Sequence, residues 1–389
     1  MQLIRVEQAI EEIHSYPLEL GTEEIFTNQS LGRVLSENII GDRDLPPYNR
    51  STMDGIAISN LNNNEASVDG ILYAGETNEH IPENFQAIEI MTGAIVPNNT
   101  HCIIPKEELI FFEKNGKKWV KWPNFQPKEM QFIHLQGSDS KKGDILVNKG
   151  KKINALDIAL ALSVGNNTLL VEKRPKIAII STGDELVSVE ENPLPHQIRS
   201  SNSGMLASIL TEKGLSSELF HLKDDKDSLL KNLRNIIEKF DVLLISGGVS
   251  AGKKDFLPEC LEQLSIKKVF HKIAQKPGKP LWFGLNLEKK KWVFAFPGNP
   301  ISTFLCSKIY FLPWLLKIEI FKGYCNVENP QFKSVDLDLW LPFQWIKENS
   351  LAKIINHNGS GDMVSWSKAD GFILKKSNQE ERNFPFVKI

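Results

Sequence analysis

Three apolar runs that each break into a glycine-rich polar loop constrain this chain more than any other feature. KIAII runs into STGDEL, DVLLI into SGGVS and WVFAF into PGNP. A short apolar run bounded by turn signals reads as a strand buried on both faces. Helical patterns lie between the runs. SNSGMLASILTEKG has a Ser/Asn start and a Gly stop, and KDSLLKNLRNIIEKF follows the strand-like SSELFHL. KVFHKIA and PLWFGL complete the strands, and a last helix follows PGNP. Apolar strands alternating with helices predict a doubly wound, mainly parallel α/β domain. In such sheets ligands bind beyond the carboxyl ends of the strands. Three unusual loops at one edge of one sheet predict a single cleft there.

At 389 residues the chain is too long for one core, so more than one domain is expected. Residues 1 to about 45 read as helical, with Val6, Ala9, Ile10 and Ile13 on one face. From Pro46 to about residue 139, short runs such as ILYAG, AIEIMTG and KKWVKW predict a small β domain. From about 140 to 172 the helical pattern returns in DIALALSVG, with Gly165 as a cap, and is expected to pack back on the N-terminal helix. The expected division is therefore 1–45 plus 140–172 as an N-terminal helical or linker domain, 46–139 as an inserted β domain, 173–328 as the α/β domain and 329–389 as a C-terminal β domain. Ile301 to Phe321 is the most apolar stretch, but Lys308, Pro313 and Lys317 interrupt it, which predicts a buried helix rather than a membrane span.

Charge is balanced, 46 Lys and Arg against 48 Asp and Glu, so neither nucleic acid nor a membrane is an expected partner. The four cysteines form no CxxC pair, and the N-terminus lacks the apolar run of a signal peptide. A cytoplasmic protein with reduced thiols is expected.

The loops carry the chemistry. In SGGVSAGKKD, small residues let backbone N–H groups approach an oxyanion, and Ser246 and Ser250 add hydroxyls; a tight turn ahead of a helix is the plainer alternative. TGDE supplies Asp184 and Glu185, and Asp224, Asp225 and Asp255 can approach the same edge. Clustered carboxylates suit a hard cation such as Mg²⁺, although solvated loop acids would look the same. KIAQKPGKP sets Lys272, Lys276 and Lys279 around a Pro-Gly turn, which suits a polyanion, or is simply a solvated charged face. The expected cleft is lined by Thr182, Gly183, Asp184 and Glu185, by Ser246, Gly247, Gly248 and the residues to Ser250, by Lys272 to Lys279, and by Pro297, Gly298, Asn299 and Pro300. In the β segment, NRSTMDG and MTGAIVP are polar turns carrying Asp54 and Thr92. His134 has no partner at metal-ligand spacing and reads as a structural or surface histidine.

Together STMDG, MTGAIVP, QGSD, STGDEL, ISGGVSAGKKD, QKPGKP and FPGNP, in this order, resemble the MoeA-type molybdopterin molybdenumtransferases, the family of the gephyrin and plant Cnx1 E domains. The likeness covers roughly residues 1 to 320; the tail agrees only through GSGDMVSW and ADGF. It implies an elongated homodimer with a MogA-like molybdopterin-binding domain. It also implies adenylylated molybdopterin and molybdate as substrates, Mg²⁺ as cofactor, a molybdopterin adenylyltransferase as partner, and release of AMP. By motif it assigns catalytic roles to Asp54, Thr92, Glu185, Asp255, Lys272 and Lys276, and substrate contacts to Asp139, Pro297 and Pro300. On this reading Asp225, Asp255 and Glu185 hold the metal.

The chain departs from the family pattern in four places. Ser201 stands where Asp is usual before Ser-Asn, His134 where an Arg is usual ahead of QGSD, Lys253 and Lys254 in a loop that is often acidic, and FQWIKENS where an Arg-rich turn is common. Three competing readings share the α/β domain. A molybdopterin adenylyltransferase is usually that domain alone. A non-catalytic scaffold of the same fold would come with an appended linker or second domain. A CinA-like nucleotide hydrolase would read GGLGPT where this chain reads GGVSAG.

Overall fold

The computed structural model describes residues 3–76, 85–249, 255–329, 332, 335–377 and 383–389. The chain folds as two compact units, Met1–Gly21 with Lys173–Ile389, and Thr22–Glu172.

The first unit is built on a six-stranded sheet. Its strands are β1 (Ile177–Thr182), β2 (Ser217–Leu222), β3 (Val242–Ser246), β4 (Lys267–His271), β5 (Trp282–Asn286) and β6 (Lys291–Phe296), in the spatial order β2-β1-β3-β6-β5-β4. The first four in that order pair in parallel; β5 and β4 close the edge antiparallel. Alternation along β1 sends its side chains to two cores. Ile177 and Ile179 join Val6, Ala9 and Ile13 of helix α1 (Val6–His14) and Leu206 and Ile209 of α2 (Asn202–Glu212). Ala178 and Ile180 join Leu229 and Leu233 of α3 (Lys226–Lys239) and Leu257 of α4 (Leu257–Gln263). Helices on both faces are what lets these strands be apolar throughout.

The apolar stretch after PGNP is a buried helix, as its interruptions predicted: α5 (Pro300–Cys306) runs on through a π-helical turn at Ser307–Phe311 to α6 (Leu312–Leu316). No helix among the described residues is long and apolar enough to cross a membrane. The tail curls into a β-barrel. Asp338–Lys347 pairs with both Leu351–Ile354 and Gly371–Lys375, which closes the ring around Phe343, Phe384 and Phe386.

The second unit holds a six-stranded sheet, in the order Cys102–Pro105, Gly55–Ile58, Ala87–Ile90, Glu65–Leu72, Lys117–Lys121 and Ile110–Lys114. Beside it lies a smaller core of Leu35, Ile39, Val147, Ala161 and Val171. Here the helical expectation for residues 1–45 is corrected. Only Val6–His14 is α-helical; Gly21 at φ 85° follows, and the alternating TEEIF forms a strand, Thr22–Phe26, against Thr168–Glu172. The helix Ala155–Ser163 has Val164 as its C-cap, and Gly165 (φ 82°) stops it directly afterwards, its N–H donating to the Leu162 carbonyl (3.1 Å). It packs within this unit, and α1 belongs to the core of the other, because the apolar face of α1 covers the α/β sheet.

Candidate active site

The parallel strands β1, β3 and β6 end side by side, so their loops share one edge. A cleft of about 460 Å³ opens there, lined by Thr182, Gly183 and Glu185, by Ser246 to Val249, and by Pro297 to Pro300. Asp224, just past β2, and Asp255, just ahead of α4, complete the acidic wall.

The loop geometry explains the residue types. Gly247 has φ 101°, and a Cβ on it would stand 2.8 Å from both the carbonyl oxygen and Oγ1 of Thr182. No other residue fits without moving backbone. Gly247 N–H donates to the Phe296 carbonyl (3.1 Å), so the SGG and PGNP loops are tied together. Thr303 on α5 fixes PGNP from below, its hydroxyl donating to the Pro297 carbonyl (2.6 Å). Asn202, at the start of α2, spans both loops, donating from Nδ2 to Ser246 Oγ (2.8 Å) and to the Gly298 carbonyl (2.7 Å). That leaves the Ser246 proton available to a ligand. Thr182 Oγ1 and Asn202 Oδ1 are buried with no hydrogen-bond partner among the described residues. Such atoms are costly unless something completes them.

The carboxylates do not neutralise one another. Asp224 is pushed above its ordinary value by partial burial, and then by the charges of Asp184, Glu185 and Asp255; His221 opposes this. Asp225 faces a different task. It is the N-cap of α3 and accepts from Ser228 N–H (2.9 Å), so Asp224, not Asp225, lines the cleft. His271 donates from Nε2 to the Val249 carbonyl (3.0 Å), which fixes the far end of the SGGV turn, and burial pushes its imidazole below the ordinary value.

The lysine segment lies apart from the lining. Of KIAQKPGKP only Pro280 lines the cleft; Lys276 and Lys279 are exposed, and Lys272 sits at φ 80° with its N–H on the Leu281 carbonyl (2.9 Å). Ser250, Lys253 and Lys254 fall outside the described residues.

In the second unit two of the motif residues meet. Asp54 Oδ1 accepts from both the backbone N–H and the hydroxyl of Thr92, each at 2.7 Å, and these two bonds hold its carboxyl below the ordinary range. Asp139 accepts from His134 Nε2 (2.8 Å), and Arg50 reaches His134 Nδ1 from Nε (3.4 Å) and Nη2 (3.2 Å). The ring thus relays a hydrogen bond from a guanidinium to a carboxylate, a role that motif spacing alone did not reveal.

Residues 4–165 match the MoeA N-terminal region, domains I and II, and residues 178–317 match the probable molybdopterin binding domain. A molybdopterin molybdenumtransferase of Synechocystis is 33% identical across 99% of this chain and 99% of its own. The chain belongs to the MoeA family. A second molybdopterin molybdenumtransferase, from Staphylococcus epidermidis, is 31% identical over 81% of this chain and 76% of its own. The crystal structure of a molybdopterin biosynthesis MoeA protein from Pyrococcus horikosii superposes with a TM-score of 0.81 at 28% identity, covering 100% of this chain and 99% of the other. Membership of the MoeA family accounts for the MogA-like sheet, the inserted β region and the closed C-terminal barrel. Asp224 was among the carboxylates expected at this edge, but Asn202, Arg199 and Ser200, which also line the cleft, were not singled out as site residues. A signal for Asn202 was present, since Asn is a poor helix former and its place at the first turn of a helix beside a ligand edge marks a side chain with other work.

Proposed function

We propose that this chain is a molybdopterin molybdenumtransferase, which inserts molybdate into the dithiolene of adenylylated molybdopterin and releases AMP. One observation supports this above the rest. In a MoeA-family chain, the TGDE, SGGV and PGNP loops converge on one cleft that holds orphaned polar atoms and mutually repelling carboxylates.

The phosphoanhydride gathers negative charge on its leaving phosphate as the phosphorus is attacked. Catalysis then rests on positioning and electrostatic stabilisation rather than on a covalent nucleophile. Water attacks phosphorus and the anhydride bond breaks to give AMP and the phosphate of molybdopterin; the two dithiolene sulfurs bond to molybdenum, and their protons leave with one molybdate oxygen as water. Ser246, Thr182 and Asn202 orient polar groups of the substrate at the strand ends. Lys272, Lys276 and Lys279 supply positive charge for phosphate or molybdate.

Mg²⁺ fits the donor set by charge. Asp224, Glu185 and Asp255 repel one another, and a cation relieves this. Among the described residues no three His, Cys, Asp or Glu side chains form a metal cage, so a bound ion would take its remaining ligands from water and from phosphate oxygens. When bound, Mg²⁺ neutralises charge on phosphate oxygens. The cation reading passes from Asp225 to its neighbour Asp224, since Asp225 is occupied in capping a helix.

The second unit exposes Phe26, Leu31, Ile40, Ile145, Leu156 and Leu162 around its smaller core. An apolar surface of this kind supports a homodimer, in which the β segment with Asp54, Thr92 and Asp139 serves the cleft of the partner. A monomer by light scattering at micromolar concentration would count against it. The activity itself is tested by Asp255→Asn and Lys276→Ala, assayed for AMP release with molybdate and Mg²⁺. Each should lose roughly 10²–10³ in rate while folding normally. Near-full turnover in both would refute the assignment.

A further inference from the structure

The lysine-bearing segment KIAQKPGKP contains one uncharged polar side chain, Gln275, and it is fully buried at 0% exposure. A buried amide is costly unless each end finds a partner. Gln275 finds three. Its Oε1 accepts from Tyr310 Oη (2.5 Å) and from Trp340 Nε1 (3.0 Å), and its Nε2 donates to the Gly278 carbonyl (3.1 Å). Trp340 can only donate, so the oxygen and nitrogen ends of the amide are fixed by chemistry. The Tyr310 phenol keeps its proton, since burial raises it well above its ordinary range.

The partners come from different elements. Tyr310 projects from the π-helical turn Ser307–Phe311, and such turns inside α-helices are frequent at functional sites. Trp340 comes from the barrel strand Asp338–Lys347, whose first residues pair with Gln275 and Lys276. Gly278 belongs to the turn between the two exposed lysines. Independent support comes from that glycine. It sits at φ 90°, and a Cβ on it would stand 2.7 Å from Gln275 Nε2 and 2.7 Å from Cys306 Sγ. The turn therefore rests directly on the amide.

We propose that Gln275 is a positioning residue: through its bond to Gly278 it fixes the turn from which Lys276 and Lys279 reach a tetrahedral oxyanion. A lysine is a point charge on a flexible stem, so two of them select an anion only when their bases are held at a set spacing. The identity of that anion as molybdate rests on the molybdenumtransferase reading above; the positioning does not.

Two arms of one experiment separate these claims. Full-length wild type, Gln275→Leu and Tyr310→Phe are compared by hydrogen exchange at the Gly278 and Lys279 amides, without ligand. Both variants should exchange at least about tenfold faster there, and Tyr310→Phe, which keeps the ring and Trp340, carries the test if Gln275→Leu does not fold. AMP release is then titrated with molybdate. The apparent KM for molybdate should rise about tenfold while kcat at saturation stays within about twofold. Unchanged exchange, or a lower Tm with an unchanged molybdate KM, overturns the proposal and leaves Gln275 a core residue only. A wild type that shows neither a molybdate-induced thermal shift nor AMP release defeats the molybdenumtransferase reading, and the exchange arm still decides the positioning.

Discussion

The α/β cleft and the polar turns of the β segment carry family motifs of equal clarity, yet they are physically opposite. In the cleft, polar groups are left incomplete. Thr182 Oγ1 and Asn202 Oδ1 lack partners among the described residues, and Asp224 is pushed up by the carboxylates around it. In the β segment the motif residues satisfy one another. Asp54 takes two bonds from Thr92, and Asp139 is held by His134, which Arg50 holds in turn. The difference teaches that equally clear motifs need not do the same work. An incomplete polar set stores electrostatic cost that a ligand can relieve. A completed set fixes the shape of a loop and presents it.

The largest expected effect lies in the cleft. Gly247→Ala forces a Cβ to within 2.8 Å of Thr182 at a φ that L residues rarely adopt. It should cost about 1–3 kcal/mol of stability and abolish AMP release, read by thermal unfolding and turnover. A functional Ala variant would mean that the loop is not held as described. Next comes the relay. His134→Ala severs Arg50 from Asp139 and should lower turnover by about tenfold with little change in Tm, since the groups are exposed. A loss as deep as that of a cleft variant would erase the contrast between the two regions.

Smaller still is Asp224→Asn, read by thermal unfolding. In the folded chain this carboxyl titrates above its ordinary value, so its ionised form opposes folding. The penalty is absent below the ordinary carboxylate range and appears as pH rises through the raised value. The variant should therefore be slightly more stable near neutral pH, and the gain should vanish in acid. Millimolar Mg²⁺ should narrow the gap by stabilising the wild type. A variant less stable at neutral pH would show that Asp224 is already neutralised. The smallest effect is expected at Thr92→Val. It removes the hydroxyl donor to Asp54 but keeps the backbone donor, so the Asp54 carboxyl should move part of the way back up, followed by NMR titration. No movement would mean that the hydroxyl bond does not form in solution.

Much of this was decided by the chain locally. Apolar runs of five residues can only be strands when both faces are covered, and Gly-rich breaks at their ends place a cleft, because strand direction alone sets which end the loops occupy. The same logic failed for residues 15–45, where Gly21 and short alternation made strands out of what periodicity had read as helix. What tertiary structure decided were choices between neighbours and contacts across distance. Asp224 and Asp225 are interchangeable in the sequence. The start of α3 claims the second for its Ser228 N–H and leaves the first to the cleft. His134 became a link only when Arg50 and Asp139 were brought to its two nitrogens, and Gln275 became a hub only when Tyr310 and Trp340 arrived from elements 35 and 65 residues away. Local pattern reports which backbone is favourable. Which buried polar atom finds a partner depends on where the rest of the chain packs, and that is decided by the whole fold.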